Sequence, residues 1–284
     1  MSPNPLENPF HPHESERKTS VDLTSHFLSR EEAQALTEAL GEDEPSKSEP
    51  QQDLPPVLDI SMSGEEQREV EKEPLWIKED YIKWAEDFGE DEAWVNETFK
   101  FQLDGTTVVN TDLILRGKKL RQLPIGLMEV KGNFNISENS SFKLNGYPKK
   151  VGGEFECIFT DFSSLEGMLE EVGRGIFLQN NKIRSLDGLP DKVMGDLELS
   201  YNKLEKLDGI SKEISGNLNL TGNNQLTSLE ALKGVKIGQN LDLQNIPATE
   251  IPAGIEIGGY VYISVSQTDL IADAKRKGYD IKRW

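Results

Sequence analysis

A single cysteine, Cys157, in 284 residues excludes any disulfide framework within the chain. No apolar run approaches the roughly 18–20 residues that span a bilayer. The opening MSPNPLENPF has neither a basic start nor an apolar stretch, so a secretory leader is not expected. Histidine is scarce, and all three (His11, His13 and His26) lie near the N-terminus. Two imidazoles of an HPH triplet on a loose segment make a poor metal site. Phosphate loops, dinucleotide fingerprints and nucleophile elbows are missing as well. No enzyme activity, cofactor or metal is therefore expected. Basic residues number 31 against 50 acidic ones, a net charge of −19. That balance repels nucleic acid and anionic membrane surfaces and leaves protein as the expected class of partner. The default expectation is a soluble, cytoplasmic monomer.

The charge is unevenly spread. Residues 1–73 hold 18 acidic and 6 basic residues, a net of −12, and eight of the fourteen prolines. Many prolines, high charge and few apolar residues predict a disordered acidic arm. One island, HFLSREEAQALTEAL, breaks the pattern. Ser29 and Glu32 form a capping box, which predicts a short helix over about 29–40.

From residue 109 onward the apolar residues recur at a fixed interval. Val109, Val130, Val151, Val172, Val193 and Ile214 are spaced by 21, and Ile237 and Ile257 follow at 23 and 20. Four residues after each comes Leu113, Phe134, Phe155, Ile176, Leu197, Leu218, Leu241 or Val261. Two further on comes Leu115, Ile136, Cys157, Leu178, Leu199, Leu220, Leu243 or Ile263. The i, i+2 pair in each unit reads as one short strand with both side chains inward. The remainder of each unit, such as Leu204, Leu207 and Ile210, must turn and return. One such coil cannot bury its own apolar side, so the units must stack into a solenoid.

The flanks read as end caps. Ile77, Tyr81, Trp84, Ala85 and Phe88 form one face of a helix, with Pro74 suited to its first turn, and a second helical piece holds Trp94 and Val95. At the other end LIADAKRKGYDIKRW predicts a closing helix, a stop at Gly278 and a last strand through Tyr279 and Ile281. The expected division is a disordered arm over 1–73, a helical cap with a first strand over 74–108, about eight repeats over 109–269 and a C-terminal cap over 270–284.

The blocks LELSYNKLEKL and IFLQNNKIRSL resemble the leucine-rich repeat pattern L-x-L-x-x-N-x-L-x-x-L, in the short form found in bacterial proteins. The resemblance covers about 109–270. It implies an α/β solenoid, a right-handed coil with a parallel β-sheet on its concave side, and binding of a macromolecule through that side. Asn139, Asn181, Asn202 and Asn223 match the family asparagine, which turns the chain by bonding backbone groups inside the coil. Lys118, Thr160, Ile246 and Ser266 stand at the same position and depart from it. Some bacterial members carry a cysteine-dependent ubiquitin ligase domain. Here Cys157 falls at an inward strand position, which predicts a small buried apolar residue and no nucleophile.

The strand residues between the inward ones face outward in three columns. The first runs Asp112, Asn133, Glu154, Gly175, Asp196, Asn217, Asn240, Tyr260, and the middle one Ile114, Asn135, Glu156, Phe177, Glu198, Asn219, Asp242, Tyr262. The third runs Arg116, Ser137, Ile158, Gln179, Ser200, Thr221, Gln244, Ser264. An acidic, amide-rich face with Ile158, Phe177, Tyr260 and Tyr262 as apolar spots predicts a docking surface for a protein partner. Its expected contact residues are Glu156, Ile158, Phe177, Glu198, Asn219, Asp242, Tyr260 and Tyr262. The same residues fit a second reading, a secreted effector whose unstructured N-terminus is an export signal.

Overall fold

The computed structural model describes residues 73–140 and 145–283. The expectations for the acidic arm, the helix over 29–40 and the three histidines fall outside the described residues. No described helix is long and apolar enough to cross a membrane.

The repeat is a β-solenoid of about eight turns. Its coils carry two short strands each, where the sequence pattern pointed to one. The second strand of each coil joins a nine-stranded sheet that runs from Leu113–Ile114 to Ile281–Arg283, all parallel and each paired with the coil before and after. Leu197, for example, lies level with Ile176 on one side and Leu218 on the other. The first strand of each coil carries the Val/Ile column. These strands form a second parallel ladder of eight, split into two runs of four, the first of which is extended to five by an antiparallel strand, Phe99–Phe101. All three periodic apolar columns point inward and are buried, with the single exception of half-buried Ile257 on the last coil.

Glycines mark the bend between the two ladders. A side chain at Gly152, Gly173, Gly238 or Gly258 would place its first carbon 2.1–2.3 Å from a carbonyl oxygen one coil back. Coils stack that closely only where the side chain is missing or small. Pairing in the second ladder is lost between Glu171–Val172 and Lys192–Val193, and Met194, 60% exposed, stands at that step in the glycine position. Ser215 has a side chain at the equivalent place and keeps its bond to the Val193 carbonyl.

Residues 74–101 pack against the first coil through helices α1 (Lys78–Glu86) and α2 (Glu92–Thr98) and strand β1 (Phe99–Phe101). Strand β1 pairs antiparallel with β2 (Thr107–Val109), the first strand of the ladder. Helix α1 starts later than the apolar face suggested. The Asp80 carboxylate accepts the Ile77 N–H, and the Trp76 N–H goes to the Ile125 carbonyl, so the chain from Pro74 to Ile77 is extended. Tyr81, Trp84, Ala85 and Val95 are buried as expected, whereas Ile77 is 41% exposed. At the far end helix α3 (Thr268–Arg276) is followed by Gly278 at φ 79° and by the ninth strand. Buried apolar side chains form one continuous core from Tyr81 to Ala274.

The family-like asparagines do more than turn one coil. Each amide nitrogen donates to a carbonyl of its own coil and to one in the coil before: Asn202 to Leu199 O (3.1 Å) and Leu178 O (2.9 Å), Asn223 to Leu220 O (2.9 Å) and Leu199 O (3.0 Å). Each amide oxygen accepts a backbone N–H from the preceding coil, such as Ile183 N to Asn202 and Leu204 N to Asn223. The departures are partly compensated. Thr160 donates through its hydroxyl to Asn181 Oδ1 at 2.8 Å. In the last coil, where Ser266 stands at the asparagine position, Gln267 reaches Leu243 O (3.0 Å) and Ile246 O (2.8 Å) from one residue later. Its longer side chain makes up the offset.

Candidate functional site

The outward face of the nine-stranded sheet is built by side chains that bond along and across the rungs. In the first column each Asp or Asn oxygen accepts the backbone N–H of the next rung. Asn133 N donates to Asp112 (2.7 Å), Glu154 N to Asn133 (2.9 Å), Asn217 N to Asp196 (2.7 Å), Asn240 N to Asn217 (3.1 Å) and Tyr260 N to Asn240 (2.8 Å). Much of this column is therefore structural, because it pairs backbone donors that the bend leaves out of the ladder. In the middle column the side chain accepts the N–H two residues on along its own strand. Ser200 N donates to Glu198, Thr221 N to Asn219 and Gln244 N to Asp242. Rung-to-rung bonds complete the column, from Asn219 Nδ2 to Glu198 Oε2 (2.8 Å) and from Thr221 Oγ1 to Asp242 Oδ1 (2.8 Å).

Five of the eight expected contact residues, Phe177, Glu198, Asn219, Asp242 and Tyr262, line one recess of about 230 Å³. Asp196, Asn217 and Asn240 of the first column share it. Phe177 and Tyr262 stand at opposite ends, four rungs or about 19 Å apart by strand spacing. The Phe177 ring leans along its strand over Gly175, where a side chain's first carbon would lie 2.8 Å from the ring. Phe177 and Tyr262 are thus half-buried where the pattern suggested openly exposed spots. Ile158 is half-buried too and lies outside the recess, as does Glu156. Tyr260 is 43% exposed and sits one rung in from the edge of the sheet, beneath Lys282 of the edge strand, whose ammonium is 4.5 Å from the ring centre.

Glu156 belongs to a separate polar pair. Its Oε2 accepts from Asn135 Nδ2 at 2.8 Å, which leaves Asn135 only 7% exposed although it was expected to face out. Desolvation pushes the Glu156 carboxyl above its usual range, Glu154 adds to this, and Arg116 opposes it. A raised folded value means the folded state holds the proton more tightly than the unfolded chain. Stability must then fall as pH rises from the ordinary glutamate range through that value. Glu156→Gln keeps an acceptor for Asn135 and removes the charge. It is expected to raise the melting temperature at pH 7 and to give no gain at pH 3, as read by paired thermal melts of mutant and parent.

Two aromatic residues escaped the sequence reading. Phe159 and Tyr201 are 57% and 56% exposed and adopt left-handed backbone at φ 54° and 55°. This conformation costs a bulky residue about 1–2 kcal/mol. The same turn position holds Gly117, Asn180, Gly222 and Asn245, all with positive φ. That recurrence of Gly and Asn was the readable signal of a left-handed turn, which every coil but the last adopts.

The second ladder contrasts with this face. Its outer column alternates in sign, and the rungs pair as Lys150–Glu171 (3.0 Å), Lys192–Glu213 (2.8 Å) and Lys236–Glu256 (3.7 Å). On the nine-stranded face, from the Asn133 rung to the Tyr260 rung, the three columns carry Glu154, Glu156, Asp196, Glu198 and Asp242 and no lysine or arginine. None of these carboxylates takes part in an ion pair with a described residue. The sole cysteine is buried, its thiol in contact with Thr160 Oγ1, and burial pushes its pKa far up.

These features define a repeat solenoid with stacked parallel-strand coils of about 21 residues, consistent with a leucine-rich-repeat-like chain. No protein-family model, curated protein or solved structure matches it.

Proposed function

We propose that the chain is a non-enzymatic docking module of the leucine-rich repeat type that binds a protein partner across its nine-stranded sheet. The observation that carries this reading is the contrast between the two ladders. One neutralises its own charges in cross-rung pairs, and in the other Asp196, Glu198 and Asp242, around an aromatic-walled recess, make no ion pair with a described residue. The leucine-rich repeat assignment is supported by the asparagine bonds that recur at the same offsets in four coils. The lone buried thiol, whose ionisation burial disfavours, supports a non-catalytic role. The short form of the repeat, found in bacterial proteins, supports a bacterial setting, and the cytoplasm is the location we assign over export as an effector. We read residues 74–101 as the cap that covers the first coil, since Trp84 Nε1 donates to Gln122 O and Tyr81 OH bonds Thr107 Oγ1.

The test uses the full chain in its native cell. A photo-crosslinking residue in place of Tyr262 is expected to capture a discrete protein, and the same residue in place of Glu213 on the second ladder is not. The pair Phe177→Ala with Tyr262→Ala, shown to be folded by its melt, is expected to lose that partner in co-purification. Equal capture from both positions would overturn the reading.

A further inference from the structure

The recess has a chemistry of its own that selects among protein partners. Its floor presents, rung by rung, Asp196 with Glu198, Asn217 with Asn219, and Asn240 with Asp242. The bonds these carboxylates already make are to amide, hydroxyl and backbone donors, and they leave acceptor capacity. Asp196 uses Oδ1 for both the Asn217 N–H and Asn217 Nδ2, and Asp242 uses Oδ1 for both Thr221 and Gln244. In each the second oxygen, Oδ2, accepts nothing from the described residues. An ionised carboxylate takes about four hydrogen bonds. The networks therefore hold the acids in fixed positions without setting a cation beside them.

The spacing constrains what can lie across them. Glu198 and Asp242 are two rungs apart, about 10 Å at roughly 4.8 Å per rung. In a β-strand laid along the column, side chains on one face repeat every two residues at about 6.7 Å, which matches neither one rung nor two. In polyproline II geometry they repeat every three residues at roughly 9 Å, close to two rungs. The four rungs from Phe177 to Tyr262, about 19 Å, then take six to seven residues at about 3.1 Å each. The chain's own first 73 residues, with a net charge of −12, have the wrong sign for this floor.

Resting on the reading of this sheet as a protein-docking face, we infer that the recess takes an extended cationic segment of a partner protein, with two basic side chains three residues apart. One basic side chain lies against Asp196 and Glu198 and the other against Asp242, while apolar residues at the ends of the segment lie on the Phe177 and Tyr262 rings. Arginine suits both positions, because its planar donors meet a carboxylate in pairs and its face stacks on an aromatic ring.

The experiment titrates full-length protein with three defined peptides by calorimetry at about 0.15 M salt, where surface charge effects are screened beyond roughly 8 Å. The first is acetyl-Leu-Arg-Pro-Pro-Arg-Pro-Leu-amide. The second has the same composition with the two arginines adjacent, and the third has glutamate for both arginines. The first is expected to bind about tenfold or more tightly than the second, and the third not at all. Asp242→Asn keeps an oxygen for Thr221 and Gln244 and should weaken the first peptide by about tenfold, the size of a charge-assisted contact. Glu213→Gln on the second ladder should leave it unchanged. Equal affinity for the two arginine peptides, or indifference to Asp242→Asn, overturns the inference. If at the same time the crosslink from position 262 still captures its partner, the docking reading stands and only the partner's assigned chemistry falls. If both fail, the sheet is not a docking face.

Discussion

Replacing Trp84 by alanine is expected to lower the unfolding free energy by about 3–5 kcal/mol, the usual range for deleting a buried large aromatic. The indole is 7% exposed and is enclosed by Trp76, Phe88, Trp94 and Phe99, with ring centres 4.8–6.4 Å away. Its Nε1–H also satisfies the Gln122 carbonyl at 3.0 Å. Alanine would open a cavity where the helices meet the first coil and leave that carbonyl without its partner. Urea melts of the full chain provide the measurement, with Trp84→Phe as companion. Phenylalanine retains most of the packing and loses the N–H, so its cost should be nearer 1–2 kcal/mol. A loss below about 1 kcal/mol for alanine would mean that residues 74–101 do not protect the solenoid's end.

A comparable loss is expected from Asn181→Ala, by a different route. This side chain makes five hydrogen bonds. Its amide donates to Cys157 O (2.7 Å) and Leu178 O (3.0 Å), and its oxygen accepts from Thr160 N (2.9 Å), Thr160 Oγ1 (2.8 Å) and Phe162 N (3.3 Å). Leaving several buried polar groups unpaired, at about 1–3 kcal/mol for each one that finds no water, should cost about 3–5 kcal/mol in all. Asn181→Asp probes the donor half of the effect. It keeps the acceptors but sets a buried carboxylate against the Cys157 and Leu178 carbonyls, so at pH 7 it should recover none of the stability. Exposed Asn224→Ala should change stability by no more than about 0.5 kcal/mol. Equal melts for Asn181→Ala and Asn224→Ala would show that the bonds between coils contribute little.

The solenoid was legible because its signal is redundant. Three apolar columns repeat in register, and a coil that must bury the same side eight times leaves that demand in the sequence at every turn. The second ladder was not legible as a sheet. Its strands are two residues long in most coils, too short for alternation to show, and they were visible only as a Val/Ile column with a charge before it. The outward columns were assigned to the correct face, but the bonds they make to the backbone were not legible. A column of Asp and Asn reads the same whether it awaits a partner or closes its own backbone, and only distances separate the two. Asn135 shows the difficulty, because it stands in an outward column and is buried by its neighbours' side chains. The start of α1 was misplaced for a related reason. Periodicity placed Ile77 on the helix face, and a tertiary bond from Trp76 to Ile125 keeps the chain extended there, so the helix begins only after Ile77.

The interruption in the second ladder has a mechanical meaning. At neighbouring steps two sets of main-chain bonds clamp one coil to the next, as from Gly173 N to Val151 O and from Ser215 N to Val193 O. Between Val172 and Val193 one of those sets is missing, and the nine-stranded sheet, the asparagine bonds and the Lys203 N to Ile183 O bond hold the step without it. A stack clamped along one edge bends like a leaf spring with a notch in it. Its compliance concentrates at this step, between the rung that carries Phe177 and the rung that carries Glu198. A bend at this step would widen or narrow one end of the recess and leave the spacing of the floor from Glu198 to Asp242 unchanged.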